Sequence, residues 1–323
     1  MNRNMKNVLI GFCIALSVTQ STSPITLLYN MKIRRVFSGA RQILEQQNKP
    51  IWVFTTVPVV FTRKHHFCET APLVDIHEKR LVVGSVFDLR CALSKNSWFE
   101  ITTAVANEQA RAKGVSENPV LPVCSHLSRT GMDDVILAAG YHLYPTEDMQ
   151  LDFYVITGFP THTIVSRDDA LGAFVGTRFF SLGTGGEFSY SFIQQDKRSL
   201  ISILQARYLH FFSRSWDPVL PCGSTIQPGD IVDLLGAIRY REKTEIFETG
   251  YNPTFFLNQA ATTPAAGKIR SDNFVLHGVY LSYAHVFLGR AHPLVLGAGF
   301  SFNGSTFLDA RAYVGWIDFS IVF

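Results

Sequence analysis

Histidine, cysteine and carboxylate side chains are the ligands a transition metal takes, and His65, His66, Cys68, Glu69, Asp75 and His77 crowd the stretch 65–77. Their spacing matches no closed zinc pattern, so the segment reads as solvated and polar, and no metal is expected. Gly183-Thr184-Gly185-Gly186 has the glycine content of a phosphate loop. No Lys-Ser or Lys-Thr follows it, and Glu187 to Ile193 alternates instead of opening a helix, so a tight turn is expected there. His142, His210, His277 and His285 fall on separate segments, and nothing sets a nucleophile beside a base. The chain is therefore not expected to be an enzyme or to need a cofactor. What remains is a set of single ionisable residues inside otherwise apolar segments: Asp134, His142, Asp152, Glu187, Arg207, Asp233, Arg239, Glu248, His277, His285 and Asp318. Their meaning depends on the elements that hold them.

The composition is apolar, 47% hydrophobic against 17% charged. Arg3 and Lys6 followed by the apolar run Val8 to Val18, too short to cross a bilayer, read as a signal peptide over residues 1–22. Its removal lowers the formal charge from +3 to +1, 27 basic against 26 acidic residues, which leaves no electrostatic case for nucleic acid. No later apolar run approaches the roughly 18 to 20 residues of a membrane-crossing helix; Ile51 to Phe61 is short and carries Pro58. Export would place Cys68, Cys91, Cys124 and Cys222 in an oxidising compartment, yet their wide spacing specifies no bridge, and unpaired, buried thiols are an equal reading. Residues 23–80 differ from the rest. Met31 to Gln47 is basic with helical apolar spacing (Ile33, Val36, Phe37, Ala40, Ile43, Leu44), which suits an N-terminal extension, either a plug or a disordered arm.

From Leu81 onward the period changes to two. Val135, Leu137, Ala139, Tyr141 and Leu143 share one face, and Asp134, Ala138, Gly140 and His142 the other. The split recurs in Leu151 to Phe159 and in Val232 to Arg241. Segments of this kind, about ten residues long, match tilted membrane-crossing strands better than ordinary soluble ones. The expected strands are 81–92, 97–106, 132–144, 149–160, 170–181, 185–194, 199–212, 231–242, 244–256, 273–287, 293–303 and 309–323. Breaks fall at Pro145-Thr146-Glu147-Asp148, at 183–186, at Gln195-Asp196-Lys197-Arg198, at Arg290-Ala291-His292-Pro293 and at Asn303-Gly304-Ser305. Stretches near 107–131, 213–230 and 257–272 would be external loops. The predicted architecture is all-β: a transmembrane antiparallel up-and-down barrel of about twelve strands over residues 81–323, with Ile51 to Phe61 left either in the plug or displacing one of these strands.

In such a barrel a charge facing lipid near the midplane costs about 2 to 4 kcal/mol for Arg, so the eleven ionisable residues named above are expected to line the lumen. Both signs occur. They either pair across a narrow barrel and fill it, or line a pore and bracket a ligand. Asp233 and Arg239 share a face on one strand but lie roughly 20 Å apart, so each needs an opposite charge from another strand or from lumenal water.

At the chain end, Tyr313, Gly315, Ile317, Phe319, Ile321 and Phe323 fall on one face, with Asp318 and Ser320 on the other. A closing strand must offer lipid an unbroken apolar face while its edge pairs with strand one. Phe319, Ile321 and the terminal Phe323 also resemble the signal read by the barrel assembly machinery. The run Thr130-Gly131-Met132-Asp133-Asp134-Val135-Ile136-Leu137-Ala138-Ala139-Gly140-Tyr141 resembles the Gly-x-Gly-Asp strand opening of outer-membrane proteins named after the phenol meta-degradation pathway, with Asp133 where that family has Gly. Gly158-Phe159-Pro160-Thr161 is similar to the family's Pro-Thr-Gly strand end, with His162 in place of the glycine, and Leu182 to Gly186 falls at its Gly-rich turn. The resemblance implies a barrel in the bacterial outer membrane that passes small hydrophobic or aromatic molecules, has no catalytic motif, and has lipid, the assembly machinery and a small solute as its partners. The alternative is a structural or surface-interaction barrel with a filled lumen and exposed loops; a barrel enzyme would need a Ser or Asp beside a rim histidine.

Overall fold

The computed structural model describes residues 51–70, 73–116, 124–161, 179–195, 198–215, 225–258, 260–263, 267–270, 273–288, 292–305 and 310–323. Its strands are β1 (Ile51–Thr70), β2 (Leu73–Ala92), β3 (Ser97–Ser116), β4 (Cys124–Met132), β5 (Val135–Thr146), β6 (Met149–Phe159), β7 (Ser181–Gln195), β8 (Arg198–Phe211), β9 (Arg214–Ser215), β10 (Thr225–Gln227), β11 (Asp230–Glu242), β12 (Glu245–Leu257), β13 (Ala260–Thr263), β14 (Gly267–Arg270), β15 (Phe274–Phe287), β16 (Leu294–Ser305) and β17 (Ala310–Val322). β4 and β5 pair with successive halves of β3, Val105–Lys113 and Ser97–Thr102, so they form one strand broken at Asp133-Asp134. Counting that pair once, twelve antiparallel strands follow one another around the wall, and β1 closes on β17 from Val53↔Val322 to His65↔Ala310. Along β5 and β6 and at the β1–β17 seam the ring is closed, the condition a sheet must meet in hydrocarbon, while among the described residues β4 is paired only with β3.

Residue parity sorts every strand into two faces. On β5, Ile136, Ala138 and His142 are buried while Ala139 and Tyr141 are exposed; on β17, Trp316, Asp318 and Ser320 are buried while Ile317 and Phe319 are exposed. Exposed Val60, Leu89, Phe153, Val155, Leu204, Ile238, Leu281, Phe300 and Ile317 make the outer surface apolar, which only a lipid surround rationalises at this extent. The connections at 93–96, 147–148 and 243–244 are short and lie at the end that holds Ile51 and Phe323, the periplasmic end in barrels of this kind. At the other end β9, β10, β13 and β14 form a separate four-stranded sheet. Gly229 (φ 88°) and Asn258 (φ 58°) stand where the chain passes between barrel and small sheet, and their left-handed conformations turn it there.

Three expectations change. The wall begins at Ile51 rather than at Leu81, because β1 and the first half of β2 are barrel strands and not an extension. Ile51, Val53, Thr55, Val57, Val59 and Phe61 face inward and Trp52, Val60 and Pro58 outward. Both faces are largely apolar, so the segment lacks the contrast that marks a strand. Second, the glycines at 183–186 are not a turn: the expected strands 170–181 and 185–194 give way to the single strand β7, and residues 170–178 lie outside the described residues. The count of twelve survives because one strand gained at β1 offsets one lost at β7. Third, Asn303-Gly304-Ser305 lies within β16, and the expected loop at 107–131 is mostly strand, β3 reaching Ser116 and β4 starting at Cys124. The signal peptide 1–22 and the helical run of Met31 to Gln47 lie outside the described residues.

Candidate functional site: the lumenal wall

Of the eleven ionisable residues expected inside, Asp134, His142, Asp152, Glu187, Arg207, Asp233, Arg239, Glu248 and Asp318 share the parity of the inner face. His277 and His285 do not. They share parity with Val279, Leu281 and Tyr283 on the outer face of β15. There His277 stacks on Tyr251 (centroids 6.1 Å, 12°) with its Nδ1 2.6 Å from the phenol oxygen, and His285 Nδ1 lies 2.5 Å from Glu245 Oε1, which also accepts from the Tyr283 hydroxyl through Oε2. Eight residues separate the two histidines, about 26 Å along the strand and about 20 Å across the membrane at a 40° tilt. They stand on the outer face towards the two ends of β15, each with a polar partner beside it, an arrangement that suits a ring with a polar tip near a wet interface. Scattered polar residues on a strand were assigned to the lumen, but near a strand end the outer face is wet as well.

Inside, charges meet in pairs set by strand register. Arg207 and Asp233 stand directly opposite on β8 and β11 and are joined through Nε (3.0 Å) and a second guanidinium nitrogen. Arg239 and Glu248 stand opposite on β11 and β12, with Nε 2.7 Å from Oε2, while the Tyr280 hydroxyl donates to Oε1 at 2.5 Å. Asp233 and Arg239 thus take their partners from neighbouring strands and not from each other. Arg80 reaches Glu108 diagonally at 2.8 Å. Near the periplasmic end Arg90 donates to His142 Nε2 (3.2 Å), which leaves Nδ1 to donate to Asp152 (2.5 Å), a carboxylate that Gln150 also reaches (2.8 Å). The same guanidinium lies 4.1 Å over the Trp98 ring. Asp152 and Glu187 are neighbours across β6 and β7, and Glu187 in turn faces Gln205.

Sequence reasoning passed over Arg63, Arg80, Asp88, Arg90, Glu100, Glu108 and Asp133, all buried. Arg63 and Arg80 were lost with the supposed extension. For the rest a signal was present: Asp88 and Arg90 alternate with Phe87 and Leu89, and Glu100 stands between Phe99 and Ile101.

The inner wall carries a second pattern. Trp98, Tyr154, Tyr280 and Trp316 each stand directly opposite a glycine of the adjoining strand: Gly140, Gly185, Gly250 and Gly299. A methyl group at any of these glycines would collide with the ring. Each ring therefore lies flat against backbone that has no side chain, the arrangement known as aromatic rescue of a sheet glycine. The Tyr154 hydroxyl accepts from Gln205 at 2.6 Å. Gly183, close against Leu209, and Gly185 explain the glycines taken for a turn. An apolar hollow of about 540 Å³ lined by Phe153, Gly186, Leu204, Leu234, Gly236 and Tyr251 opens on the outer wall, so it belongs to the lipid side.

Cys91 is buried and unpaired; Cys68, Cys124 and Cys222 lie outside the described side chains. So do those of His65, His66, Cys68, Glu69 and Asp75, and among the described residues no group of three or more His, Cys, Asp or Glu could hold a metal ion. Phe319 and Phe323 are exposed on the outer face, and Phe323 exchanges backbone hydrogen bonds with Trp52 at 2.9 and 3.3 Å.

No protein-family model and no curated protein sequence matches the chain. Among solved structures, an outer membrane channel from Pseudomonas putida F1 superposes with a TM-score of 0.60 at 13% identity, over 86% of this chain and 97% of that one. The transport unit of the autotransporter AIDA-I from Escherichia coli gives 0.46 at 10% identity, over 85% and 91%, and the translocator domain of the autotransporter NalP from Neisseria meningitidis 0.44 at 9%, over 91% and 96%. The last two are too distant to argue from. The first likeness is one of fold, a closed antiparallel β-barrel, and with the apolar outer surface and the closure of β1 on β17 it makes this chain a barrel suited to a lipid surround.

Proposed function

We propose that this barrel is an outer-membrane channel for small hydrophobic or aromatic molecules. The observation that carries the reading is the set of four rings, Trp98, Tyr154, Tyr280 and Trp316, held flat over glycines. A ring of this size standing out from the wall would obstruct a twelve-stranded lumen; folded onto the wall, where each of the four is 3–6% exposed, it leaves more room and meets a solute only as that solute displaces the inward neighbours. The charges between the rings are largely neutralised in pairs, so a neutral solute meets dipoles and aromatic faces instead of a field of one sign. Outer-membrane lipid is the partner of the outer face, and Phe319, Ile321 and Phe323 are the residues proposed to be read by the barrel assembly machinery.

A specific observation favours a second reading, a structural barrel with a filled lumen: Arg207, Asp233, Arg239 and Glu248 are each at most 4% exposed. Transport separates the two. Full-length protein refolded into liposomes should admit a neutral aromatic solute such as benzyl alcohol faster than protein-free liposomes containing the same lipid, and Gly140→Phe, which drives Trp98 off the wall, should slow entry several-fold. Equal rates with and without the protein would reject the channel in favour of the filled barrel.

A further inference from the structure

We infer that Trp316 and Asp318 form a lumenal subsite for a small organic ammonium ion; this deepens the channel reading by naming a substrate class. Asp318 is completely buried and Trp316 is 4% exposed. Neither oxygen of Asp318 has a hydrogen-bond partner, nor has the Trp316 indole nitrogen. Among the described residues no other buried carboxylate has both oxygens unpartnered. The surroundings explain why. On β1 the inward neighbours are Thr55, Val57 and Val59, and on β16 they are Val295, Gly297 and Gly299. Thr55 and Ser320 satisfy each other at 2.9 Å, and none of these residues is basic. Gly297 lies directly under the Asp318 carboxylate as Gly299 lies under the Trp316 ring, so the wall is hollowed for both side chains.

The two residues share the inner face of β17 at i and i+2, roughly 7 Å apart. That separation lets one ammonium group touch the carboxylate while staying within about 6 Å of the indole centroid, the reach of a cation–π interaction. In a dry setting a cation gains more from a carboxylate than it does in water, and it restores the neutrality that Arg207, Arg239 and Arg80 supply to the other acids of the wall. The subsite also sits at the seam. The β1–β17 register runs to Thr56↔Phe319 and resumes only at Val59↔Trp316, because Pro58 has no N–H to give the ladder. The gap faces Asp318, so the wall there lacks rungs of the ladder and can shift as a ligand enters.

Binding and passage are measured separately on the full-length protein. Calorimetric titration of detergent-refolded protein with benzylammonium should show binding that Asp318→Asn weakens at least about tenfold and Trp316→Leu by a smaller factor, whereas Asp318→Asn changes benzyl alcohol binding less than twofold. Heat-modifiability on gels verifies that both variants are closed barrels, and Asp318→Glu, which restores the charge, should recover most of the affinity. Liposome entry of benzyl alcohol reads the channel itself. Loss of benzylammonium binding in Asp318→Asn without any solute entry in wild type would keep the subsite and reject the channel. Solute entry with equal benzylammonium affinity in wild type and Asp318→Asn, or no benzylammonium binding at all, would overturn the subsite and leave the channel standing.

Discussion

Two arcs of the lumenal wall solve the same problem in opposite ways. Across β8, β11 and β12 every inward acid or base at mid-height meets its counterpart on the next strand, Arg207 with Asp233 and Arg239 with Glu248. Across β16, β17 and β1 the inward residues around Asp318 are valines, glycines, hydroxyls and a ring, Arg63 lies six positions along β1 from Val57, roughly 20 Å away, and neither oxygen of Asp318 has a hydrogen-bond partner. The first arc is locked, since moving either member of a pair leaves a dry charge. The second is unsatisfied, and an unsatisfied group is free to take a partner from outside. Scaffold and binding capacity therefore occupy different sides of one barrel.

The contrast breaks most visibly at Glu248. Glu248→Leu strands the Arg239 guanidinium and removes the acceptor of the Tyr280 hydroxyl, with an expected loss of about 3 to 5 kcal/mol in unfolding measured by urea titration in lipid. Adding Arg239→Leu should recover much of that. If the single and double variants unfold alike, the pair contributes nothing to the locked arc. On the outer face of the second arc, Ile317→Lys should cost about 2 to 4 kcal/mol and reduce membrane yield, whereas Ser320→Lys, pointing inward, should insert better. Similar yields from both would show the β17 register to be off by one residue.

Gly299→Val tests the flat ring beside Asp318. It forces Trp316 away from the backbone at about 1 to 3 kcal/mol, and solute entry should fall with it. Unchanged stability and entry would mean that the glycine does not cradle the ring. Smaller still is the effect expected for His277→Leu on the outer face of β15, about 0 to 1 kcal/mol with no change in ion selectivity, because the residue points away from the lumen. A selectivity shift in this variant would return His277 to the inner wall. At the bottom of the scale, Asp318→Asn should leave stability unchanged or raise it slightly, since no partner is lost. A drop as large as that of Glu248→Leu would reveal a counterion for Asp318 and erase the difference between the arcs.

Much of this is legible in the sequence. Alternation in Val135 to Leu143 and in Tyr313 to Phe323 assigns lipid and lumen faces, because side chains on a strand point to opposite sides in turn and lipid tolerates only one kind. That parity placed nine of the eleven candidate residues inward and failed for His277 and His285, whose strand reaches the wet interface. β1 was hidden because lumen and lipid are both apolar at Ile51 to Phe61, and parity carries no signal when its two faces match.

The sequence by itself determined the class of fold, the inward facing of nine ionisable residues and the need of Asp233 and Arg239 for partners elsewhere, since all three follow from period and from the cost of a dry charge. Only the tertiary structure decided which partners these are, that glycines at 140, 185, 250 and 299 receive rings instead of turning the chain, and that Asp318 is left alone beside the seam at Pro58. These depend on register between strands that are neighbours in space. Register is settled by the closure of the whole barrel, which no single segment of the chain contains.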